Sequence, residues 1–511
     1  MVRHLSLVVV ACGSDPTDSD PTVPPPPVVC DVPVQLVDTS SPDHAIACTE
    51  SALRAAASAG GVIAFDCGTD PVTITLTASL RITADTVIDG GGNVAISGGG
   101  AVRIIDMNSG NFAATGPHLT VQRLTLRDGH AEGAVLDGGG GAIYYVGGSV
   151  TAIDCQFQGN QAAELGPDVA GGAIYGIGVG ETVVVGSVFS GNRASNGGAI
   201  GALHTAVTIV NSTLTGNRAT GYGANFIDQN GQQQGMGGNG GALVMDGRGR
   251  DLYICGSNFA ENSSGAYGGA VFRTGYQSER NEIHRSSFLD NEVRDRTGAE
   301  SELPSRAGAL YLQGVDVTMT ASTVAGNHAA ASAGVWIMGH GTAPGVANLV
   351  NVTIAGNYTY ERDPLTSRGV GAGLTVGDNT TGTLLNVTIA GNAAQFGSGI
   401  WNAAPLTIRN SIIANDADNV FTPLNCGGGT SSAEGDHNVQ WPNGMSPSAD
   451  LDCTPAIVRV DPQMGELGDH GGPTSTLLPG NPSLPEATDC PAIDQRGEPR
   501  GEPCTIGAVE L

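Results

Sequence analysis

Large apolar residues recur three positions ahead of an asparagine along most of this chain. Phe157, Phe189, Leu214, Phe259, Phe288, Val324, Ile354, Ile389 and Ile412 precede Asn160, Asn192, Asn217, Asn262, Asn291, Asn327, Asn357, Asn392 and Asn415. The heptad NVTIAGN occurs word for word at 351–357 and at 386–392. A second phrase alternates with the first: GGAI at 140–143, 171–174 and 197–200, GGAL at 240–243 and GGAV at 268–271. It decays to AGAL (307–310), GAGL (371–374) and GSGI (397–400). Each period of roughly 23 to 45 residues holds two strand-like phrases, with no stretch patterned as a 10–15-residue amphipathic helix.

This pattern predicts an all-β parallel β-helix, a coil of short strands stacked about 4.8 Å apart. Inward positions then stack like on like, as a column of Phe, Leu, Val and Ile. Asparagine at the tight corner bonds the asparagine of the next coil, and glycine lets the chain turn without a Cβ clash. A solenoid also needs its end covered. CTESALRAAASAGG (48–61) predicts a short N-terminal capping helix, with Thr49 or Ser51 as N-cap and Gly60 as its stop. GVIAFDCG, TITLTASLRI and TVIDGGGNVAISGGGAVRI follow as the first coils.

Composition narrows the class. The chain has 511 residues, 78 of them glycine, and a net charge of −27, which leaves no basic stripe for nucleic acid. Every basic residue is arginine, so no lysine can act as base or form a Schiff base. The start, MVRHLSLVVVAC, places Arg3 before the apolar run Leu5 to Ala11 and so predicts export. VVAC resembles a bacterial lipobox, which makes Cys12 the lipid-attachment residue and 1–12 its signal peptide. An Asp/Pro-rich tether follows over 13–47, then the β-helix with its N-terminal cap (48–420) and a C-terminal cap (421–511). Secretion across the inner membrane would then give an outer-membrane or cell-surface lipoprotein, or an extracellular one.

The GGA[ILV] and FxxN phrases resemble the repeats of chlamydial polymorphic outer membrane proteins, which implies a right-handed, pectin-lyase-like β-helix. The C-terminal part is similar to the bacterial choice-of-anchor Q family. NSIIAND…NC up to Cys426, GDHNV, LDC at Cys453, DPQMGELGDHGGPTSTLLPGNP (461–482) and CPAIDQRGEPRGEPCTIGAVE (490–510) carry that likeness. NPSLPEATD stands where the family has SPAIDAG. The resemblance implies an exported, surface-attached protein with a disulfide-bearing C-terminal cap. It also implies the bonds Cys48–Cys67, Cys426–Cys453 and Cys490–Cys504, each between neighbours in sequence. Cys155 and Cys255 share the parity of Phe157 and Phe259, so both are expected to face the core as free thiols. Three coils, about 14 Å, would keep them beyond disulfide reach. Cys30 has no evident partner.

β-Helices also host enzymes, so cleavage of acidic glycans is the rival to a non-catalytic structural or adhesive role. No Ser/His/Asp motif, zinc spacing or phosphate loop stands out, no catalytic residue is assigned and no cofactor is indicated; a lyase site would call for Ca²⁺. The stretch at 279–302, with Glu282, His284, Asp290, Glu292, Arg294 and Asp295, is read as a solvated loop whose charges compensate. Long insertions follow the asparagine corner at 218–239, 292–306 and 358–370, and are expected to project from one edge. Tyr222, Phe226, Tyr358, Tyr360 and Asp363 in those loops are the candidate contacts for a glycan or surface protein. The membrane is met only through the lipid.

Overall fold

The computed structural model describes residues 27–133, 135–295, 305–360, 369–415, 417–428, 433–443 and 450–511. The Cys12 and Asp363 readings lie outside those residues. From Gly140 onward each coil follows one path. A strand such as Ile143–Val146 leads to Ser149–Ile153, then past a corner to Gln156–Gln158, and past a second corner to a short strand or bridge. Each strand of these coils pairs in parallel with its counterpart one coil on, so Ile143, Ile174, Ile200, Leu243, Val271, Leu310, Val335, Leu374 and Ile400 form one inward column. The protein is a nearly all-β solenoid of parallel strands. We call the strips by position: the groove sheet (Ile143–Val146 and its equivalents), the strap sheet (Ser149–Ile153), the phenylalanine sheet (Gln156–Gln158) and the short sheet (Arg193–Ala194).

Side-chain stacking ties successive coils. Phe157, Phe189, Phe259 and Phe288 are fully buried, with ring centroids 4.3 Å apart for the first pair and 5.0 Å for the second. The asparagines behind them form a continuous ladder. Asn192 Oδ1 accepts both the side-chain amide and the backbone N–H of Asn160, each at 3.0 Å. The same pair of bonds recurs through Asn217, Asn262, Asn291, Asn327, Asn357 and Asn392 to Asn415. It passes to Asn425 and ends on the Asp450 carboxylate, an acceptor that needs no partner beyond. A second ladder, of serine, runs at the other end of the phenylalanine sheet. Ser187, Ser212, Ser257 and Ser286 each donate a backbone N–H to the next serine's Oγ, finishing at Ser322. Its signal lay in the second position of GSVFSGN, NSTLTGN, GSNFAEN, RSSFLDN and ASTVAGN.

The doubled glycine of GGA[ILV] does two jobs. Its first member holds a positive φ, +70° at Gly171 and +66° at Gly268. Its second member has no room: a Cβ on Gly241 or Gly269 would meet the carbonyl oxygen of the next coil. Worn copies keep the turn without the glycine, as at Ala307 (φ +64°) and at Ser332 (φ +56°), which opens the further copy SAGV (332–335).

The N-terminal helix α1 (Glu50–Ala59) starts at Thr49, whose Oγ1 accepts the Ala52 N–H at 3.3 Å, and stops at Gly60. Leu53, Ala56 and Ala57 bury its inner face against the first coils.

Three expectations are corrected. Cys255 is not a free thiol and Cys30 is not partnerless, because the two form a disulfide. The parity argument fails since Gly256 (φ +60°) is a left-handed corner: it inserts one residue between strap and phenylalanine sheets, so Ile254 faces in and Cys255 out. Cys155, which follows its own corner at Asp154, lies inside and is the one free cysteine of the described residues. Cys48–Cys67, Cys426–Cys453 and Cys490–Cys504 are disulfides. The core slot of the worn copy NSIIAN is filled by Ile413, which pairs with Ile389, because that copy lacks the corner glycine; Ile412 faces out. The C-terminal region caps the stack only in part. Cys426–Gly427, Val439–Trp441 and Val458–Arg459 continue the coils, but 474–510 runs back along the flank. There Asn351, Asn386 and Asn410 donate to Ile493, Thr505 and Thr488 carbonyls, and Gln495 bonds Thr323 and Thr353.

Candidate functional site

Outward positions of the groove sheet hold an aromatic column. The residue after each GGA[ILV] copy stands in register along Tyr144, Tyr175, Gly201, Val244, Phe272, Tyr311 and Trp336. Rings from adjacent strands stack: Phe272 and Tyr311 are parallel within 3° at 5.0 Å, and Trp336 meets Tyr311 edge-on at 5.3 Å. Tyr267 packs against Tyr311 at 4.6 Å. The column is interrupted at Gly201 and Val244, where a glycine and a small side chain replace rings. A cavity of about 260 Å³ lies over this gap, between Tyr175 and Phe272.

Polar groups line its two sides. On one side the second outward column contributes Asp246, Thr274 and Gln313, with Tyr276 and His340 above them. On the other, the loops 164–169 and 220–239 bring in Asp168, Asn225 and Asn239. Asn196 fastens the first of these loops, donating to Pro167 and Val169 carbonyls and accepting the Asn239 N–H. Burial raises the Asp246 carboxyl above its ordinary value, outweighing the Tyr276 hydroxyl that donates to it and the nearby Arg273, His204 and His340. Burial also pushes the Tyr276 phenol up to about 12. Arg273 lies wholly inside the coil and reaches the carbonyls of Gly247, Thr274 and Arg250. It thereby braces the turn that follows Asp246.

The residues singled out from the loops do not converge. Arg218 and Tyr358 are four coils apart on the short sheet, about 19 Å. Tyr222 and Phe226, just beyond Arg218, therefore sit far from Tyr358 and Tyr360. Tyr358 stacks on His328 at 4.8 Å, and the Tyr360 hydroxyl lies 2.9 Å from Ser305 Oγ. The charged stretch also splits: Glu282 and His284 belong to the strap sheet, Asp290 to a corner, and Glu292 to the short sheet. Loop 220–239 does reach the groove, through Ala224, Asn225 and Asn239 rather than through its aromatic residues. Sequence reasoning passed over the groove itself, although the aromatic residue after GGA[ILV] was its visible signal.

Among the described residues no group of three His, Cys, Asp or Glu side chains is placed to hold a metal ion, and no helix is long and apolar enough to cross a membrane. Compared with protein-family models, curated proteins and solved structures, the chain gives no match.

Proposed function

We propose that this chain is an exported, surface-held β-helix protein that binds glycan in the groove between Tyr175 and Phe272, in an adhesive rather than catalytic role. The observation that carries the reading is the interrupted aromatic column: ring faces and convergent polar groups around a small open cavity form the chemistry that sugars use. The right-handed, pectin-lyase-like class and the choice-of-anchor Q relationship belong to the same proposal, supported by the sequence phrases. Four disulfides fit an oxidising compartment. A lipid on Cys12 would supply the attachment.

A second reading, cleavage of the bound glycan, has one observation in its favour, the raised Asp246 carboxyl facing the same cavity as Asp168. Affinity electrophoresis through neutral, amino and acidic polysaccharides tests binding. Retardation that Phe272→Ala abolishes supports the groove, and unhindered migration in every gel rejects it. Release of reducing ends or unsaturated products would move the reading to the enzyme. Cys12→Ala should release the protein from membranes; unchanged membrane association would reject the lipid anchor.

A further inference from the structure

The hydrogen-bonding capacity of the groove is lopsided. Three of its four tyrosine hydroxyls are engaged by the protein itself. Tyr175 donates to the Asp168 carbonyl at 3.0 Å, Tyr276 to the Asp246 carboxylate, and Tyr311 to Met338 sulfur at 3.7 Å. His340 holds the Gly275 carbonyl through Nδ1 at 3.1 Å, which as a donor leaves Nε2 an acceptor. On the acceptor side, by contrast, a buried group is unmet. Asn239 is 6% exposed and its Oδ1 has no partner. A buried acceptor left unmet costs about 1–3 kcal/mol, so a ligand that supplies the donor is favoured. Among the described residues the Asp168 and Asp246 carboxylates form no salt bridge and no arginine lines the cavity, although the Arg248 guanidinium lies over the Tyr276 ring at 5.4 Å. Gln313 and Asn225 provide the remaining amide donors.

Two carboxylates, an orphan acceptor and walls of Tyr175, Tyr267, Phe272, Tyr276 and Tyr311 make an environment suited to a cation that also donates hydrogen bonds. A carboxylated sugar would meet repulsion there, within a chain of net charge −27. We infer that the groove recognises the ammonium group of an amino sugar, held between Asp246, Asp168 and Asn239 with its ring against the aromatic walls. This rests on the glycan-binding reading and specifies its ligand class.

The pH dependence follows from the same contacts. The titratable and charged groups around Asp246 are Tyr276, Tyr175, Arg273, His204 and His340. An ammonium bound beside Asp246 favours its ionised form, so binding releases a proton and tightens as pH rises through the raised Asp246 value.

Titration calorimetry of the full chain with glucosamine oligomers, their N-acetylated counterparts and oligogalacturonate tests the inference. Glucosamine oligomers should bind at least about tenfold tighter than the other two. Asp246→Asn and Asp168→Asn should each weaken that binding about tenfold, while Glu181→Gln, at an exposed strand start in the strap sheet, leaves it unchanged. Equal or tighter binding of the N-acetylated or acidic oligomers overturns the ammonium inference and leaves the glycan groove standing. Loss of affinity in Glu181→Gln equal to that in Asp246→Asn overturns it too, because general charge attraction would then explain the binding. Failure of all three oligomers, together with neutral glycans, removes the groove reading itself.

Discussion

Cys30 and Cys255 lie 225 residues apart in sequence, and a disulfide holds their Cα atoms 6.0 Å apart on the outside of the solenoid. Between Cys30 and the N-terminal helix the chain runs back along the strap sheet towards the first coil. Asn211 accepts the Val29 and Cys30 N–H groups and donates to the Cys30 carbonyl; Gln122 exchanges two bonds with Val37; Thr39 donates to Asp89. Val29, Val32 and Val34 cover Ile153, Val183, Val185 and Val210, outward positions that would otherwise be apolar surface. Cys30 thus sits at mid-length of the solenoid, about six coils or 29 Å above its first turn.

Cys30→Ser should therefore loosen the strap without unfolding the coils. On the loop-entropy account a closure of this length contributes at most about 5 kcal/mol, most of it local to the strap. Hydrogen exchange should rise at 29–39 and stay slow at the phenylalanine sheet. Unchanged protection at 29–39 would show that Asn211, Gln122 and the valines hold the strap alone.

Asn262 occupies the middle of the asparagine ladder. It accepts from Asn217 twice and donates to Asn291 Oδ1 and the Leu214 carbonyl. Asn262→Ala leaves the two buried Asn217 donors and the Leu214 carbonyl unmet and takes one donor from Asn291 Oδ1, so a loss of about 3 kcal/mol is expected in urea unfolding. Asn262→Asp should cost more at neutral pH, since its carboxylate cannot donate to Asn291 Oδ1 or the Leu214 carbonyl. A loss under about 1 kcal/mol for either variant would mean that water replaces the ladder.

Two glycines separate conformational strain from lack of space. Gly191 has φ +62° with nothing near its absent Cβ, so Gly191→Ala should cost about 1 kcal/mol. Gly269→Ala would push a methyl against the Gly308 carbonyl and the Glu292 backbone N, 2.7 Å away, which requires the coils to part. About 3 kcal/mol is expected there. Equal melting temperatures for the two variants would refute the close-approach account.

The stack of coils was legible because repetition is forced by stacking: whatever Phe157 does, Phe189 must do one coil on. Thr49 and Gly60 were legible for a local reason, since a helix end is set by its own capping residues. Two things were hidden. Left-handed corners shift parity by one residue, and Asp154, Gly186, Asn211 and Gly256 share no common side chain that announces the turn. Cys255 was misplaced for that reason, and Ile412 because its copy lacks the glycine before Asn415. The groove was hidden because it is an exception to the repeat. It arises where Gly201 and Val244 break the aromatic column, and its walls come from loops whose paths no periodicity encodes.

Asp246 offers a test in which the sign of the effect is the prediction. Burial sets its folded carboxyl above the unfolded value of about 3.9, so the native state holds the proton more tightly than the unfolded chain. Nothing is lost at pH 3, where both states are protonated. As pH rises through the unfolded value towards the folded one, the unfolded state ionises first and native stability falls by a matching amount. Asp246→Asn keeps an acceptor for the Tyr276 hydroxyl but cannot ionise. The variant should thus match the wild type at pH 3 and exceed it in melting temperature at pH 7, the opposite of losing a paired carboxylate. A variant less stable than the wild type at pH 7 would mean that Arg273, His204 and His340 together outweigh the burial of the charge.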